Sequence, residues 1–356
     1  MSQFDSLLDG SLPRKCGVEN MFRLRRIEIG EKILNVVGSY LRDAGYRRAW
    51  LVCDARTWVV AGNQVADGIA AANLSCQTFV VPDHGSSPPI ADDDTVTNAA
   101  NILQNLGCDV VVSVGAGTIN DIAKASSTLS GIPYVTVPTA ASMNGYTSAI
   151  AAILSSGVKR TRSTQQTEAV FADIDVLRNA PLKMNLSGFG DLSSKPYSNA
   201  CWYLSSRFAG ADWSAAPAQL LDGPFLRLLE VAKGIGAGDS QAIRLLIETL
   251  LLSGCAMALA GSSSPASGGE HLLSHYWDMV EHGGGRDVRA LHGTQVGIAT
   301  VLSARLYNRI LQLDPSRMDI DSAMSEHPKS VEEFRLQVAN RHPNLPTSVV
   351  AEIVRE

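Results

Sequence analysis

The sequence predicts an α/β domain built on a parallel sheet, followed by an all-helical domain. Three observations carry this expectation. Up to about residue 182, short apolar and β-branched runs alternate with helical stretches. Beyond that point strand signals almost vanish. Long helical patterns separated by glycine and serine then continue to 311. The expected domains are therefore 1–182 and 183–356. A chain of 356 residues suits two medium domains, because single cores tend to split near this size.

The elements follow in order. Ala49-Trp50-Leu51-Val52-Cys53 reads as a strand ending in Asp54, with a helix over about 56–73. Thr78-Phe79-Val80-Val81 is the next strand, and Asp92 to Leu106 a helix with aspartates in its first turn. Asp109-Val110-Val111-Val112-Ser113-Val114 is strongly β-branched and runs into glycines. A helix over about 118–129 separates it from Tyr134-Val135-Thr136-Val137. Continuous apolar strands between helices argue for a sheet covered on both faces. Residues 148–175 read as a hairpin, turning at Ser155-Ser156-Gly157, and a further strand. Helices are then expected at about 190–209, 224–234, 239–260, 269–282 and 289–311, with Gly261-Ser262-Ser263-Ser264-Pro265 as one break. The tail after 312 is polar and receives no element. A ligand cleft is expected between the two domains.

Composition narrows the function. Hydrophobic residues make up 45% and charged residues 18%, enough for a sizeable core and against disorder. The net charge of −5, with no basic stripe beyond the short cluster Lys159-Arg160-Thr161-Arg162, argues against nucleic acid as a partner. Cysteines at 16, 53, 76, 108, 201 and 255 have no Cys-x-x-Cys spacing, so they read as buried thiols in a reducing, cytoplasmic setting. Met1 to Gly10 lacks a basic-then-apolar pattern, so no signal peptide is expected. No apolar run is read as reaching the ~18 residues of a membrane helix. Oligomeric state is left open, with a homo-oligomer allowed.

Val114-Gly115-Ala116-Gly117-Thr118-Ile119-Asn120-Asp121 joins a strand to a helix. Glycines there let backbone N–H groups approach a phosphate at a helix N-terminus, where the dipole favours negative charge. Thr118 and Asp121 have the spacing of a capping box. The loop departs from the usual dinucleotide fingerprint, because Asn120 stands for its last glycine and the loop follows Asp54 rather than preceding it. Asp54 is a candidate acceptor for an adenosine ribose, which would favour NAD over NADP. An ordinary strand-to-helix turn and a helix-capping aspartate are the competing readings.

Four of the seven histidines crowd into 271–292. His271-Leu272-Leu273-Ser274-His275 puts two imidazoles at i and i+4 on one helix face. Leu272 stands where a metalloprotease would carry its glutamate, so that chemistry is excluded. His292 opens another helix. A carboxylate would complete a catalytic metal set, and Asp191, in Gly188-Phe189-Gly190-Asp191, is the best candidate, with glycines that permit close approach. Such a metal acts as a Lewis acid on an alcohol or carbonyl oxygen. Surface or helix-capping histidines are the alternative.

These elements, in this order, resemble the iron-containing alcohol dehydrogenase superfamily, which includes glycerol dehydrogenases and dehydroquinate synthases. The resemblance is strongest to the sn-glycerol-1-phosphate dehydrogenase family. It rests on Gly115 to Asp121, Val137-Pro138-Thr139-Ala140-Ala141-Ser142-Met143-Asn144-Gly145, Gly188 to Lys195, Ser267-Gly268-Gly269-Glu270-His271-Leu272-Leu273-Ser274-His275, and Leu291-His292-Gly293. It covers roughly residues 20–310.

The resemblance implies a dehydroquinate synthase-like fold, with an α/β nucleotide-binding domain and a helical metal- and substrate-binding domain. It implies metal ligands at Asp191, His271 and His292. It places His275 near the substrate as a proton-relay group. It implies cofactor contacts at Asp54, Gly115, Gly117, Thr118, Asp121, Thr139 and Ser142, and substrate contacts at Asn144, Lys195 and His275. The cofactors would be NAD or NADP and one divalent metal: Zn, Ni or Fe. The implied reaction is reduction of dihydroxyacetone phosphate to sn-glycerol 1-phosphate. A dehydrogenase for glycerol or another small polyol, and a dehydroquinate synthase-like lyase, are the alternatives. Lys159, Arg160 and Lys195 are the nearest cations for a substrate phosphate. Many relatives carry Asp where this chain has Asn144, which keeps the hydrogen bonding and loses the charge. They often carry Ala-Asp-Trp at Ala200-Cys201-Trp202. The C-terminus is short for the bacterial branch.

Overall fold

The computed structural model describes residues 3–155, 158–283, 286, 288, 290–326 and 328–355. Its strands are β1 (Arg26–Gly30), β2 (Arg48–Asp54), β3 (Ser75–Val81), β4 (Val110–Gly115), β5 (Tyr134–Pro138), β6 (Ile150–Ser155), β7 (Val158–Ser163) and β8 (Ala169–Asp173). Six form one sheet in the order β1-β8-β5-β4-β2-β3, with every pairing parallel. β6 and β7 form a separate antiparallel hairpin. Ser156 and Gly157 of its expected turn lie outside the described residues.

The flanking helices are α1 (Val36–Asp43), α2 (Asn63–Ala71), α3 (Asp93–Leu106) and α4 (Gly117–Ser130). The strands alternate their side chains between two cores. Leu51, Cys53, Val110, Val112 and Val114 face Val37, Leu41, Val65 and Ile69. Trp50, Val52 and Val111 face Val96, Leu103, Ile119 and Ile122. A strand buried on both faces must be apolar throughout, which is why β2 and β4 read as unbroken runs.

From β2 the chain passes outward to β3. It then returns to β4 and builds β5, β8 and β1 on the other side. β2 and β4 therefore flank the point where the strand order reverses. At such a point the connections diverge and leave a crevice beyond the C-terminal strand ends. Asp54 and Gly115 end these two strands.

Helices follow the last strand: α5 (Leu182–Ser193), α6 (Lys195–Phe208), α7 (Asp222–Gly236), α8 (Ser240–Ala260), α9 (Gly269–Gly283) and α10 (His292–Leu311). Among the described residues no strand occurs after Asp173. α11 (Val331–Arg341) and α12 (Thr347–Arg355) stand in the tail. α8 starts at the Asp239 cap and ends at Gly261, whose φ of 64° completes the turn. It is central to a core that also takes in Ala141, Tyr146, Val170 and Ala172, so the sheet and the helical layer share buried surface.

Four local expectations are corrected. The stretch 56–73 contains a π-turn, Trp58–Gly62, between helical pieces. The stretch 190–209 is two helices. Pro196, which cannot donate to a helix interior, sits in the first turn of the second one. β1, at the sheet edge, escapes the sequence reading because it is only half-buried and alternates charged with apolar residues. Finally, the 21 residues of α8 are long and apolar enough to cross a membrane, contrary to the reading that no run was. With 78% of its most apolar window buried inside the protein, α8 is a core helix.

Candidate active site

The glycine loop is the tight turn from β4 into α4. A Cβ on Gly115 would run into the Ile119 side chain, and one on Gly117 would press on Met143 Sδ at 3.0 Å. The N-cap, Ala116, offers no side-chain cap. The expected capping box between Thr118 and Asp121 does not form. Thr118 is exposed in the first turn, and Asp121 points inward, where it accepts from Ala152 N–H on β6 at 3.3 Å. Burial raises the Asp121 pKa, against the nearby charge of Lys124. First-turn amides without side-chain caps, at the strand-order reversal, suit a dinucleotide pyrophosphate.

Asp54 caps the short helix Ala55–Thr57. Its Oδ1 accepts from Arg56 N–H and Thr57 N–H, both at 2.8 Å, and Thr57 Oγ1 accepts from Asp54 N–H at 2.9 Å. Arg56 Nη2 stands 3.5 Å from Asp54 Oδ2. A guanidinium so close offsets the Asp54 charge, which would otherwise repel the 2′-phosphate of NADP, and so weakens the expected preference for NAD.

The segment after β5 links the nucleotide loop to the helical layer. Thr139 N–H donates to Gly115 O at 3.2 Å, and Ala141 N–H to Asn185 Oδ1 at 3.0 Å. Ser142 Oγ lies 3.3 Å from the Tyr146 hydroxyl. Asn144 then grips Asp191, with its N–H on Oδ2 at 2.9 Å and its Nδ2 on Oδ1 at 3.2 Å.

Asp191, His271 and His292 meet in the structure. Their ligand atoms all lie within 4.8 Å of one another. Glycines make this convergence possible. A Cβ on Gly190 would collide with the Gly293 backbone, and one on Gly293 with the Ser187 backbone. α5 and α10 therefore cross in contact, one residue before Asp191 and one after His292.

The ring orientations follow from neighbours that the sequence reading did not pick out. Glu270 Oε1 lies 3.0 Å from His271 Nδ1. A carboxylate only accepts, so Nδ1 carries the proton and Nε2 faces Asp191 Oδ1 at 3.3 Å. The Asp278 carboxylate requires a donor from Gln295, whose Nε2 supplies it at 2.9 Å. Gln295 Oε1 consequently accepts from Ser274 Oγ at 2.6 Å. Having given up its one proton, Ser274 Oγ accepts from His292 Nδ1 at 3.1 Å, which leaves Nε2 of His292 for a ligand. His271, Ser274, His275 and Asp278 lie at i, i+3, i+4 and i+7 on one face of α9. That polar stripe was the available signal for Ser274 and Asp278; Glu270 and Gln295 fall outside it.

The three imidazoles differ in charge. Burial disfavours charging His271, but the hydrogen bonds its ring donates to Asp191 and Glu270, with the charges of both carboxylates, outweigh it and push the pKa up to about 9. Burial, with the nearby charges of Lys159 and His271, holds His275 down at about 4. The same causes hold His292 well below the ordinary imidazole range. His275 stacks on His292 at 6.0 Å between ring centroids.

A cavity of about 740 Å³ opens beside His275, with Lys159, Arg160 and Arg355 in its wall. Lys195 does not line it. The Lys195 ammonium is buried, donates to Pro265 O at 2.9 Å and Asn199 Oδ1 at 3.2 Å, and burial lowers its pKa to about 8.

One carboxylate and two imidazoles, each with its second nitrogen occupied, form a donor set fitted to a divalent transition metal. Beside a dinucleotide crevice, such a set defines a metal-dependent, nucleotide-linked dehydrogenase. A family model described as iron-containing alcohol dehydrogenase matches residues 28–181. The glycerol-1-phosphate dehydrogenase, NAD(P)+, of Halalkalibacterium halodurans is 36% identical over 300 residues, covering 82% of this chain and 73% of that protein. The protein of the same name from Bacillus velezensis is 34% identical over 289 residues, covering 81% and 73%. Glycerol dehydrogenase from Schizosaccharomyces pombe has the same fold, with a TM-score of 0.67 at 17% identity over 93% of this chain and 88% of that one. The chain belongs to the glycerol-1-phosphate dehydrogenase family of the iron-containing alcohol dehydrogenases.

Proposed function

We propose that the chain is a metal-dependent, NAD(P)-linked dehydrogenase that interconverts dihydroxyacetone phosphate and sn-glycerol 1-phosphate. The observation that carries this reading is the meeting of Asp191, His271 and His292 at one point. The names of its relatives support the substrate. Residues 1–182 would serve the nucleotide and 183–356 the metal and substrate, with Asn144 and Lys159 reaching across from the first part. The six cysteines, all free thiols, suit a reducing cytoplasm.

Asp191, His271 and His292 would hold the metal. When bound, a divalent metal supplies Lewis-acid polarisation of a carbonyl or alcohol oxygen, and nicotinamide supplies or takes the hydride. The chain's own residues prepare the site. Gly115, Gly117 and the first-turn amides at Thr118 receive the pyrophosphate, with Asp54 at the neighbouring strand end. Asp121 anchors the β6–β7 hairpin from below. Thr139 and Ser142 line the nicotinamide side. Asn144 fixes both Asp191 oxygens beside the substrate. Neutral near pH 7, His275 can take a proton from a substrate hydroxyl and pass it toward the cavity. Lys195 would act through the packing of the 265 loop, since its ammonium is already occupied.

The test is NADH turnover by metal-loaded protein with dihydroxyacetone phosphate, dihydroxyacetone and glycerol side by side. Net NADH oxidation with dihydroxyacetone phosphate is expected. A lyase that only borrows the hydride would leave NADH unchanged. His271→Ala and Asp191→Ala should lose both metal and turnover, and full activity in metal-free His271→Ala protein would overturn the reading.

A further inference from the structure

We propose that the cavity beside His275 is the subsite for the substrate's phosphate group, with Lys159 as its anchoring cation. This rests on the dehydrogenase reading and says how the site tells a phosphorylated ketone from a plain one. Lys159, Arg160 and Arg355 enter the lining, and among the described residues no carboxylate does. A wall of this charge favours an anion. Ser263, Ser264 and Ser267 add hydroxyl donors, and Gly269 in the wall begins the 15 residues of α9, whose dipole also favours an anion. His275, in the same wall, stacks on His292, so the cavity lies one imidazole ring away from the Asp191–His271–His292 cluster.

Lys159 is held ready for this role. Its Nζ lies 3.3 Å from Asp278 Oδ2, and the other Asp278 oxygen is taken by Gln295. Asp278 is buried, while the Lys159 side chain keeps 23% of its exposure. An ammonium has three donors, and one bond to Asp278 leaves two for a phosphate. Asp278 thus fixes the position of the cation while the cavity receives its remaining hydrogens. The chain Lys159–Asp278–Gln295–Ser274–His292 joins this cation to a metal ligand through four contacts. A three-carbon substrate would then be held at both ends, with its carbonyl at the metal and its phosphate at Lys159.

The experiment uses the full-length, metal-loaded protein with inorganic phosphate as the direct probe. Calorimetric titration of wild type, Lys159→Ala and Lys159→Arg reads binding without turnover. Lys159→Ala should bind phosphate at least about tenfold more weakly, in line with the loss of one charge-assisted hydrogen bond. Lys159→Arg, which keeps the charge and controls for folding, should stay near wild type. In the NADH assay the ratio of kcat/KM for dihydroxyacetone phosphate to that for dihydroxyacetone should fall by the same factor in Lys159→Ala. Equal phosphate binding by wild type and Lys159→Ala, or an unchanged ratio, overturns the proposal. Failure of the wild type to turn over dihydroxyacetone phosphate, with phosphate binding still lost in Lys159→Ala, instead overturns the choice of substrate and leaves the anion subsite standing.

Discussion

Glu270 is fully buried, and only one of its carboxylate oxygens, Oε1, is satisfied, by Gly268 N–H at 2.8 Å and His271 Nδ1 at 3.0 Å. Its Oε2 is buried without a hydrogen-bond partner. Such a charge is costly unless a positive group balances it, and among the described residues His271, which also faces Asp191, is the hydrogen-bond partner placed to transmit one from a metal. Glu270→Gln keeps the shape and removes the charge. It should weaken metal binding by about 10–100-fold, measured by competition with a chelator. Unchanged affinity would make Glu270 a packing residue. Asn144 illustrates the same logic. An aspartate there would set a second carboxylate against Asp191, whereas the amide donates to it. His271, Asp191 and His292 could be named from residue type and order. Two of their supports could not, because Glu270 and Gln295 acquire meaning only from what they touch.

At the scale of elements, the decisive feature is the crossing of α5 and α10 at Gly190, Gly293 and Gly297. A Cβ at Gly297 would lie 3.2 Å from Gly190 Cα. Close contact at this point sets the separation of Asp191 from His292. Gly293→Ala would put a methyl group into the Ser187 backbone. It should cost about 1–3 kcal/mol by chemical denaturation and displace His292, so metal affinity should fall as well. Loss of stability with metal affinity intact would separate the crossing from the site. The glycines around Asp191 pointed to close approach in advance. The two facing residues of the other helix did not, since glycine at 293 and 297 reads equally well as a local turn or weak helix.

At the scale of the molecule, α8 binds the sheet and the helical layer into one core. Leu250 is fully buried within it, near Gly188 beside the Ala141 carbonyl. Leu250→Ala should cost about 2–5 kcal/mol, and far-ultraviolet dichroism and tryptophan fluorescence should report the loss as one shared transition. Two transitions, with only one shifted, would mean that the halves unfold independently. The shared core also explains why a helix of membrane-like length lies inside the protein. Its apolar residues face the sheet layer on one side and α7 on the other.

Sequence alone determined the parallel sheet, the helical second half, the glycine turn from β4 into α4 and the identity of the three residues, Asp191, His271 and His292, that converge. Each is written in local pattern: β-branched runs, glycine between strand and helix, imidazoles at helical spacing. Tertiary structure alone decided the rest. It brought Asp191 to His292 through a glycine crossing, turned Asp121 inward, occupied Lys195 with Pro265, and set Lys159 on Asp278 beside the cavity. These outcomes depend on contacts between residues tens to more than a hundred positions apart, and no local period encodes which distant partner a buried polar group will find.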